Sequence, residues 1–443
     1  MADTGNLTVL KQLYSKLAEA LTAGTPEAAP GQSYITLSNP GIFIDPRLAP
    51  ERDVAAQRAW ASRLDNVPSA NWVYTPTDMS VAHLYDDILR CKELPLSELE
   101  RAQQALLDRE RAVIMDKQGR PTRRIADYRR YQGQYLRALT DYGTAKADMA
   151  NRGTPVPPET LEALNDARED WNTFGFKGEV QAAQATVANL EALNPNPWWT
   201  ELTNRFRNEY EPVGFAPTTT DPGYSRLVGD SGWTRFTFTQ EDVVRQGTSS
   251  AVSGGGGVSG DWGLWRVSGS ADYRRDTRSS SSDTTGISIS LDLMRATIVR
   301  GWLDPLVFRA HTWRLGRSTR LGGQLIAKGT FLPGEGGGGL MPLLPTGVIV
   351  ARNVVVKTQL SHQDQTMVDE ALRAEASVGW GPFAISGHYN QSSSSDVSHG
   401  NVTATGISNP TPQILGFFCD VLPLCPSPLP DLRWPETFEE AVA

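Results

Sequence analysis

The chain has 443 residues, 39% of them hydrophobic and 21% charged, and a formal net charge of −8. This composition is typical of a soluble globular protein of two or three domains and excludes a largely disordered chain. The negative charge offers no basis for a phosphate-binding surface, so we expect no nucleic-acid partner.

The N-terminus does not read as a secretory signal, because a basic start and an unbroken apolar core are missing. Its leucines instead follow helical spacing at Leu10, Leu13, Leu17 and Leu21. No stretch of about 18 apolar residues occurs, so no membrane-crossing helix is predicted. We expect a protein that is cytoplasmic as synthesised and that reaches a membrane only after release and activation.

Helical periodicity dominates the first part of the chain. Ser97 and Glu100 form a capping-box pattern before an apolar stripe, and residues 123–151 contain no proline. A second stripe has heptad-like spacing and consists of Val180, Ala183, Val187 and Leu190. Residues 1–210 are therefore predicted to form a module of long antiparallel helices. The heptad stripe is either an internal seam or a partner-binding coiled coil.

The second part of the chain has strand patterns. Residues 211–228 are rich in proline and threonine and predict a linker. Phe236 and Phe238 then alternate with threonines, and short connections favour antiparallel pairing. Residues 229–415 are predicted to form a mainly antiparallel β module, followed by a proline-rich acidic tail over 416–443. The predicted fold class is α+β.

One segment of the β module occurs twice. "DWGLWRVSGSADYRRDTRSSSSD" starts at Asp261, and "GWGPFAISGHYNQSSSSD" starts 118 positions later at Gly379. Thr-Gly-Ile-Ser follows each copy. We interpret the repeat as two related β-hairpins over 258–300 and 370–408, each with a serine-rich tip and with Thr-Gly-Ile-Ser opening the return strand. The Gly-Pro pair in the second copy predicts a bulge or an edge.

The first hypothesis for these hairpins is membrane insertion. A transmembrane β-strand needs about 9–11 residues with one apolar face, and strands from several subunits can close into a barrel. Glycine, serine, threonine and scattered aromatics are typical of β-pore-forming proteins. Arg266, Asp272 and Arg274 must then face a wet lumen or lie outside the bilayer. Candidate membrane or inter-subunit contacts are Trp262, Leu264, Trp265, Val267, Ile287, Ile289, Trp380, Phe383, Ile385 and Tyr389.

Two other hypotheses explain the same residues. They belong to the ordinary core of a sheet built by duplication, or to a soluble ring, tube or filament held by strand edges. Among functions, we predict a non-enzymatic, self-associating protein that forms a homo-oligomer. A toxin-like membrane pore is the first choice, and a soluble structural assembly is the alternative.

Catalytic and cofactor motifs are missing from the sequence. The glycine runs lack the Gly-Lys-Ser/Thr ending of a phosphate-binding loop, and the five histidines are spread singly without metal-ligand spacing. We therefore predict no enzyme, no cofactor and no metal. An enzyme would need a pocket that gathers the scattered acidic residues and histidines.

The cysteines and the tail each leave two alternatives. Cys91, Cys419 and Cys425 are an odd number without a secretion signal, which favours thiols over a bridge between the last two.

Trp434 and Phe438 lie four residues apart in the tail. They predict an anchor, placed either on a neighbouring subunit or partner or on the chain's own domain.

Overall fold

The protein is an α+β molecule in this computed structural model, with its long helices mainly in the first half and its strands mainly in the second. The predicted fold class is confirmed. The structure describes residues 9–10, 12–14, 16–17, 20–21, 33–69, 73–95, 101–152, 155–191, 196–245, 265–268, 277–278, 283–316, 319–329, 338–389, 397–430, 432 and 434.

The helices begin where the sequence supplies capping side chains. Asp53 accepts a hydrogen bond from the Ala55 N–H, and Ser361 accepts one from the N–H of Asp364. Helical residues between positions 9 and 21 form α1. The other helices are α2 (Val54–Leu64), α3 (Val81–Cys91), α4 (Arg101–Ile114), α5 (Arg123–Arg152), α6 (Pro158–Thr173), α7 (Lys177–Glu191), α8 (Asn196–Tyr210), α9 (Tyr224–Leu227), α10 (Gln240–Arg245) and α11 (His362–Arg373).

The strands lie in two main antiparallel sheets and three small pairs. Two strands, β9 and β12, have 17 residues each and run through the centre of the larger sheet. The strands are β1 (Ser33–Phe43), β2 (Asn66–Pro68), β3 (Pro76–Ser80), β4 (Lys92–Glu93), β5 (Thr219–Asp221), β6 (Thr234–Thr239), β7 (Trp265–Ser268), β8 (Thr277–Arg278), β9 (Asp283–Val299), β10 (Arg314–Leu315), β11 (Ala327–Lys328), β12 (Leu343–Gln359), β13 (Ser377–Trp380), β14 (Phe383–His388), β15 (Val397–His399), β16 (Asn401–Thr403), β17 (Gly406–Asn409), β18 (Gln413–Val421) and β19 (Leu424–Cys425).

Two pairs of helices pack along each other, α5 with α6 and α4 with α7. Tyr135 of α5 stacks on Trp171 of α6, with ring centroids 5.3 Å apart. Leu107 of α4 packs against Val187 and Leu190 of α7, so the heptad stripe is part of an internal seam. Among the described helices, none combines the length and apolarity needed to cross a membrane.

The large sheet has two halves joined by β9 and β12. We call one of them the upper half, with the strand order β5-β9-β12-β18-β1. The other is the lower half, with the order β6-β9-β12-β17-β16. The change of partners on β12 lies at a register shift between Arg352 and Val355. Asn353, within this shift, has a φ of 51°, a left-handed conformation that asparagine tolerates better than most residues.

The second sheet has the order β15-β14-β13-β7-β8 and packs on one face of the large sheet. Residues of α1 and α11 complete the hydrophobic core between the two sheets. On the opposite face, the upper half is covered by a separate core that includes Trp60 and Leu64 of α2. We name the second sheet the small sheet.

The large sheet takes strands from all four parts into which the sequence divides. β1 comes from the helical module, and β5 comes from the predicted linker. β18 (Gln413–Val421) crosses the boundary placed before residue 416 and lies between β12 and β1. Local composition does not reveal such pairings, because they join residues that are distant in sequence.

Candidate functional site

One row of paired residues crosses the lower half of the large sheet. Thr239, the last residue of β6, pairs with Ser288 of β9. Ser288 also pairs with Lys357 of β12, and Lys357 pairs with Gly406, the first residue of β17. Two connections therefore leave the sheet at this same row, one from β6 to β9 and the other from β12 to β17.

The two connections have the same length. Residues 240–287 form insertion 1 and residues 358–405 form insertion 2, with 48 residues in each. The repeated Trp-Gly pair occupies positions 23 and 24 of both insertions. The sequence repeat is thus the repeat of a strand–insertion–strand unit, and the two units lie side by side in the sheet.

Both insertions fold back over the large sheet. Insertion 2 contributes α11 and most of the small sheet, and insertion 1 contributes α10, β7 and β8. β13 and β14 form a hairpin whose two-residue turn is Gly381, with a φ of 53°, and Pro382. The serine-rich stretch of the second copy lies between β14 and β15, which pair with each other. The predicted return strand of the first copy, β9, lies in the large sheet, whereas β7 lies in the small sheet.

The β13–β14 hairpin keeps the register of the strands from which it emerges. Lys357 pairs with Gly406 in the large sheet. Gly379 and Ala384, which pair in the small sheet, each lie 22 residues beyond that row. A single register shift, after Val378, interrupts this ladder. Gly379 and Ala384 therefore pair as they would if β12 and β17 continued straight into one long hairpin, although insertion 2 is folded back over the sheet.

The contact between the two insertions also keeps register. Ser288 pairs with Lys357 in the large sheet, and Ser268 pairs with Ser377 in the small sheet. The second pair lies 20 residues beyond the first along both chains. The β7–β13 ladder thus has the same register as the pair of Ser288 with Lys357, although the β9–β12 ladder shifts just beyond this row, where Gln359 pairs with Asp283. A one-residue slip would have turned every side chain to the opposite face.

Two side-chain amides of the large sheet hold the backbone of β14. Gln413 accepts a hydrogen bond from the Ala384 N–H at 2.7 Å and donates one to the Ala384 carbonyl at 3.2 Å. Asn409 donates to the carbonyl of Ile385 at 2.8 Å. Both amides are almost completely buried. Sequence analysis missed these residues, because nothing near them marks a docking contact.

The end of β14 is held by two arginines of the N-terminal half. Arg63 donates hydrogen bonds to the carbonyls of Phe43 and Tyr389, and burial lowers its pKa. The guanidinium of Arg47 lies over the ring of Tyr389 at 5.5 Å. The second repeat is therefore anchored where its serine-rich stretch begins.

The predicted hairpin contacts are mainly core residues in this folded form. Trp265 and Trp380 lie directly opposite each other on β7 and β13, and both are fully buried. Val267 and Tyr389 are half-buried, and Trp262 and Leu264 lie outside the described residues. Six of the ten candidates belong to the core between the sheets: Trp265, Ile287, Ile289, Trp380, Phe383 and Ile385.

The tail packs on its own chain. The guanidinium of Arg314 lies over the ring of Trp434 at 4.5 Å. The Leu429 N–H donates to the carbonyl of His311 at 3.0 Å, and the His311 ring contacts the Ser427 carbonyl. The other predicted anchor, Phe438, lies outside the described residues.

The three cysteines are buried free thiols. No bridge joins Cys419 and Cys425. Burial raises the pKa of Cys425 to about 12 and that of Cys419 further, so neither thiol is poised as a nucleophile.

A cavity of about 310 Å³ lies between α4, α7, α8 and the 3-10 helix Pro305–Phe308. Its lining includes Glu201, Asp304 and Asp420, together with three arginines but no histidine. Burial raises the pKa of Asp304 and that of Asp420. Arg205 lies 3.1 Å from Glu201 and 3.9 Å from Asp304, so these groups neutralise one another. Within the described part of the chain, no group of side chains is placed to hold a metal ion.

A wider hollow of about 700 Å³ is lined by His83 and three aspartates. Asp86 forms an ion pair with Arg90, and Asp87 forms one with Arg320. Two of the three aspartates are thus held by arginines, and no nucleophile–base pair is described among the residues that line this hollow. The two insertions are therefore the stronger candidate site.

The chain matches no known protein family, no curated protein and no solved structure. No activity can therefore be transferred from a relative.

Proposed function

We propose that this chain is a self-associating, non-enzymatic protein whose two insertions refold into membrane-spanning β-hairpins. Insertion 1 extends the β6–β9 pair, and insertion 2 extends the β12–β17 pair. Four extended strands from each copy then join those of neighbouring copies in a closed barrel. Closure pairs every strand, which the hydrocarbon region requires because it offers no hydrogen-bonding partner.

The shared register is the observation that carries this proposal. The β7–β13 ladder and the pairs of Gly379 with Ala384 and Trp380 with Phe383 already have the register of the extended hairpins, whereas the β7–β8 and β14–β15 pairings would be replaced. Refolding therefore requires the insertions to swing away from the large sheet at the paired residues Lys357 and Gly406. The β7–β13 ladder can keep its present pairing during this change. Duplication accounts for the equal lengths of the two insertions, but a static core has no need for a register that is shared across a fold-back.

The insertions are long enough for the task. Half of a 48-residue insertion gives an arm of about 24 residues, which spans about 75 Å when extended. A bilayer core is about 30 Å thick, and a tilted strand crosses it with about 9–11 residues. The residues of each arm that are not needed to cross the bilayer allow the charged residues Arg266, Asp272 and Arg274 to lie in the lumen or outside the bilayer.

The lower half of the sheet also has the edges that assembly requires. Of the described strands, β6 and β16 lie at its two sides. β16 has only three residues, and short edge strands are a common protection against unwanted pairing. Because residues 401–403 belong to insertion 2, its extension would remove β16 and expose the outer edge of β17. Neighbouring copies would then pair through β6 and β17, so that the homo-oligomer continues the sheet.

Two engineered disulfides test the refolding step. Val267 and Val378 are paired now, and both lie 21 residues beyond the row, so they stay paired after extension. His388 and Val397 are also paired now but would lie nine residues apart on one extended strand, about 30 Å away from each other. The first bond is compatible with insertion, and the second is not.

We expect oxidised His388→Cys/Val397→Cys protein to release no dye from anionic liposomes and to regain release on reduction. Oxidised Val267→Cys/Val378→Cys protein should release dye in both states. Equal leakage from both oxidised proteins would overturn the refolding step. Negative-stain imaging of the same samples separates the alternatives: ordered assemblies without leakage indicate a soluble structural protein, and monomers that ignore lipid contradict self-association.

A further inference from the structure

Helix α1 contacts both insertions. Lys16 of α1 is fully buried, and its Nζ lies 3.1 Å from the carboxylate of Asp242, which is also fully buried. Asp242 is the third residue of insertion 1 and lies in α10. The same Nζ lies 3.0 Å from Asp148 of α5. One ammonium group therefore connects the N-terminal helix, the longest helix and the start of insertion 1.

The other contact of α1 is with the turn of insertion 2. A Cβ placed on Gly381 would come within 2.7 Å of the Leu10 side chain, so helix and turn are in close contact. Tyr14 donates a hydrogen bond of 2.6 Å to the Ile35 carbonyl of β1. Further along α1, Leu13 and Leu17 belong to the core between the two sheets.

We infer that α1 is an autoinhibitory strap that holds both insertions in the folded-back form, with Lys16 as its ionic fastening. This inference rests on the proposed function, because it assigns the regulation of the same two insertions. A buried ion pair stabilises a fold only while both partners are present. Any event that withdraws α1 takes the ammonium group away from the buried carboxylate of Asp242 at the root of insertion 1, which also accepts a hydrogen bond from the Thr239 N–H at 2.7 Å. It also removes the apolar contact of Leu10 with the turn of insertion 2.

The test variant is Lys16→Met, which preserves the length and apolar stem of the side chain but removes its charge. The matched control is Arg300→Met. Arg300 also forms an ion pair in which both partners are buried, at 3.1 Å from Asp65, and it lies in the upper half of the sheet, away from both insertions. Both variants break a buried ion pair, so a general loss of stability affects both.

Hydrogen–deuterium exchange without lipid measures the strap directly. In Lys16→Met we expect faster exchange in α10 and β13–β14, with the upper half of the sheet unchanged. In Arg300→Met we expect faster exchange around α2 and α3 instead. Dye release by Lys16→Met at limiting protein should be about 10- to 100-fold faster than wild type, because the insertions open more often.

Each outcome has a distinct meaning. Local exchange in Lys16→Met without leakage from any protein, wild type included, supports the strap and overturns the pore. Leakage by wild type with the same exchange pattern in Lys16→Met and Arg300→Met overturns the strap and leaves the pore intact. If Lys16→Met does not fold, Asp148→Asn gives a milder test, because this carboxylate is 27% exposed. An unchanged exchange rate in α10 of that variant would also contradict the strap.

Discussion

The two halves of the large sheet are buried differently, and β9 passes through both. In the lower half, Ile287, Ile289, Leu291 and Leu293 face the core between the sheets, and the residues between them are half-exposed. In the upper half, Met294, Ala296 and Ile298 face the opposite core. The upper half thus has a second core, formed with segments outside the insertions. The cover of the lower half comes largely from the insertions, which also contact the upper half where Gln413 of β18 holds β14.

Under the proposed refolding, we expect this difference in burial to decide which half of the sheet changes and which stays fixed. A strand with one buried face alternates apolar and polar residues, and a strand with two buried faces is apolar almost throughout. If the insertions leave, the lower half loses its cover and the upper half keeps the core formed with α2. The upper half would then act as the scaffold of the assembly.

The largest effect is expected from a charge on the covered face of the lower half. Ile289→Asp buries an unpaired carboxylate at a position with no solvent exposure, and such burial costs several kcal/mol. We expect loss of cooperative unfolding, measured by circular dichroism in urea. Both Ile289 and the row residue Ser288 belong to β9 itself, so we do not expect this part of the strand to enter a membrane.

The matched control for that variant is the next residue. Ser290 is half-exposed on the other face and receives a hydrogen bond from Arg235. Ser290→Asp should therefore change the free energy of unfolding by about 0.5 kcal/mol or less, as is usual for surface substitutions. Equal destabilisation by the two variants would contradict the one-sided burial of the lower half.

A smaller effect is expected at the bend between the halves. Asn353 has a φ of 51° and donates a hydrogen bond of 2.7 Å to Asp292. Burial alone would raise the pKa of Asp292, but hydrogen bonds from Asn353 and Arg235 hold it below its ordinary value. Asn353→Ala should cost about 1–2 kcal/mol, because alanine is less favourable in the left-handed region and the hydrogen bond is lost.

Asn353→Gly separates these two contributions. Glycine adopts the positive φ without strain but cannot donate to Asp292. We expect its cost, measured by urea unfolding, to be smaller than that of Asn353→Ala. If the alanine variant is the more stable of the two, the left-handed bend is not the constraint that joins the halves.

The smallest effect concerns the pH dependence of the upper half. Burial raises the pKa of Asp420 above its ordinary value, although Arg309 and Arg295 partly oppose this. The folded protein thus holds this proton more tightly than the unfolded chain, and the associated stability is lost as pH rises through the folded pKa. Asp420→Asn cannot ionise, so thermal stability should fall less between pH 4 and pH 7 than in wild type.

Asp116 provides a control of opposite sign. Hydrogen bonds from the Arg120 and Gln118 backbone, together with the Arg120 side chain, hold the pKa of Asp116 below its ordinary value. Its contribution is therefore present above the unfolded pKa and is lost as pH falls. Asp116→Asn should weaken the acid-side loss of stability. A slope that changes in the same direction in both variants would contradict this assignment.

The sequence by itself determined the features that depend on neighbouring residues. Heptad-like spacing gave the α7 seam, alternation gave β6 and the lower half of β9, and the Trp-Gly repeat revealed the duplication. These patterns are readable because a helix or a strand places residues on one face at a fixed period. The repeat also marked the two insertions, although local sequence could not decide whether their apolar residues are core or membrane contacts.

Only the tertiary structure decided what those segments are attached to. The row through Thr239, Ser288, Lys357 and Gly406, and the register continued across the fold-back, join residues far apart in sequence. The amides that hold β14 and the buried ammonium of Lys16 have the same character. Such contacts depend on which surfaces meet after folding, and a single residue's chemistry does not specify its partner. Periodicity determined the elements of this protein, and long-range pairing determined how they are placed against one another.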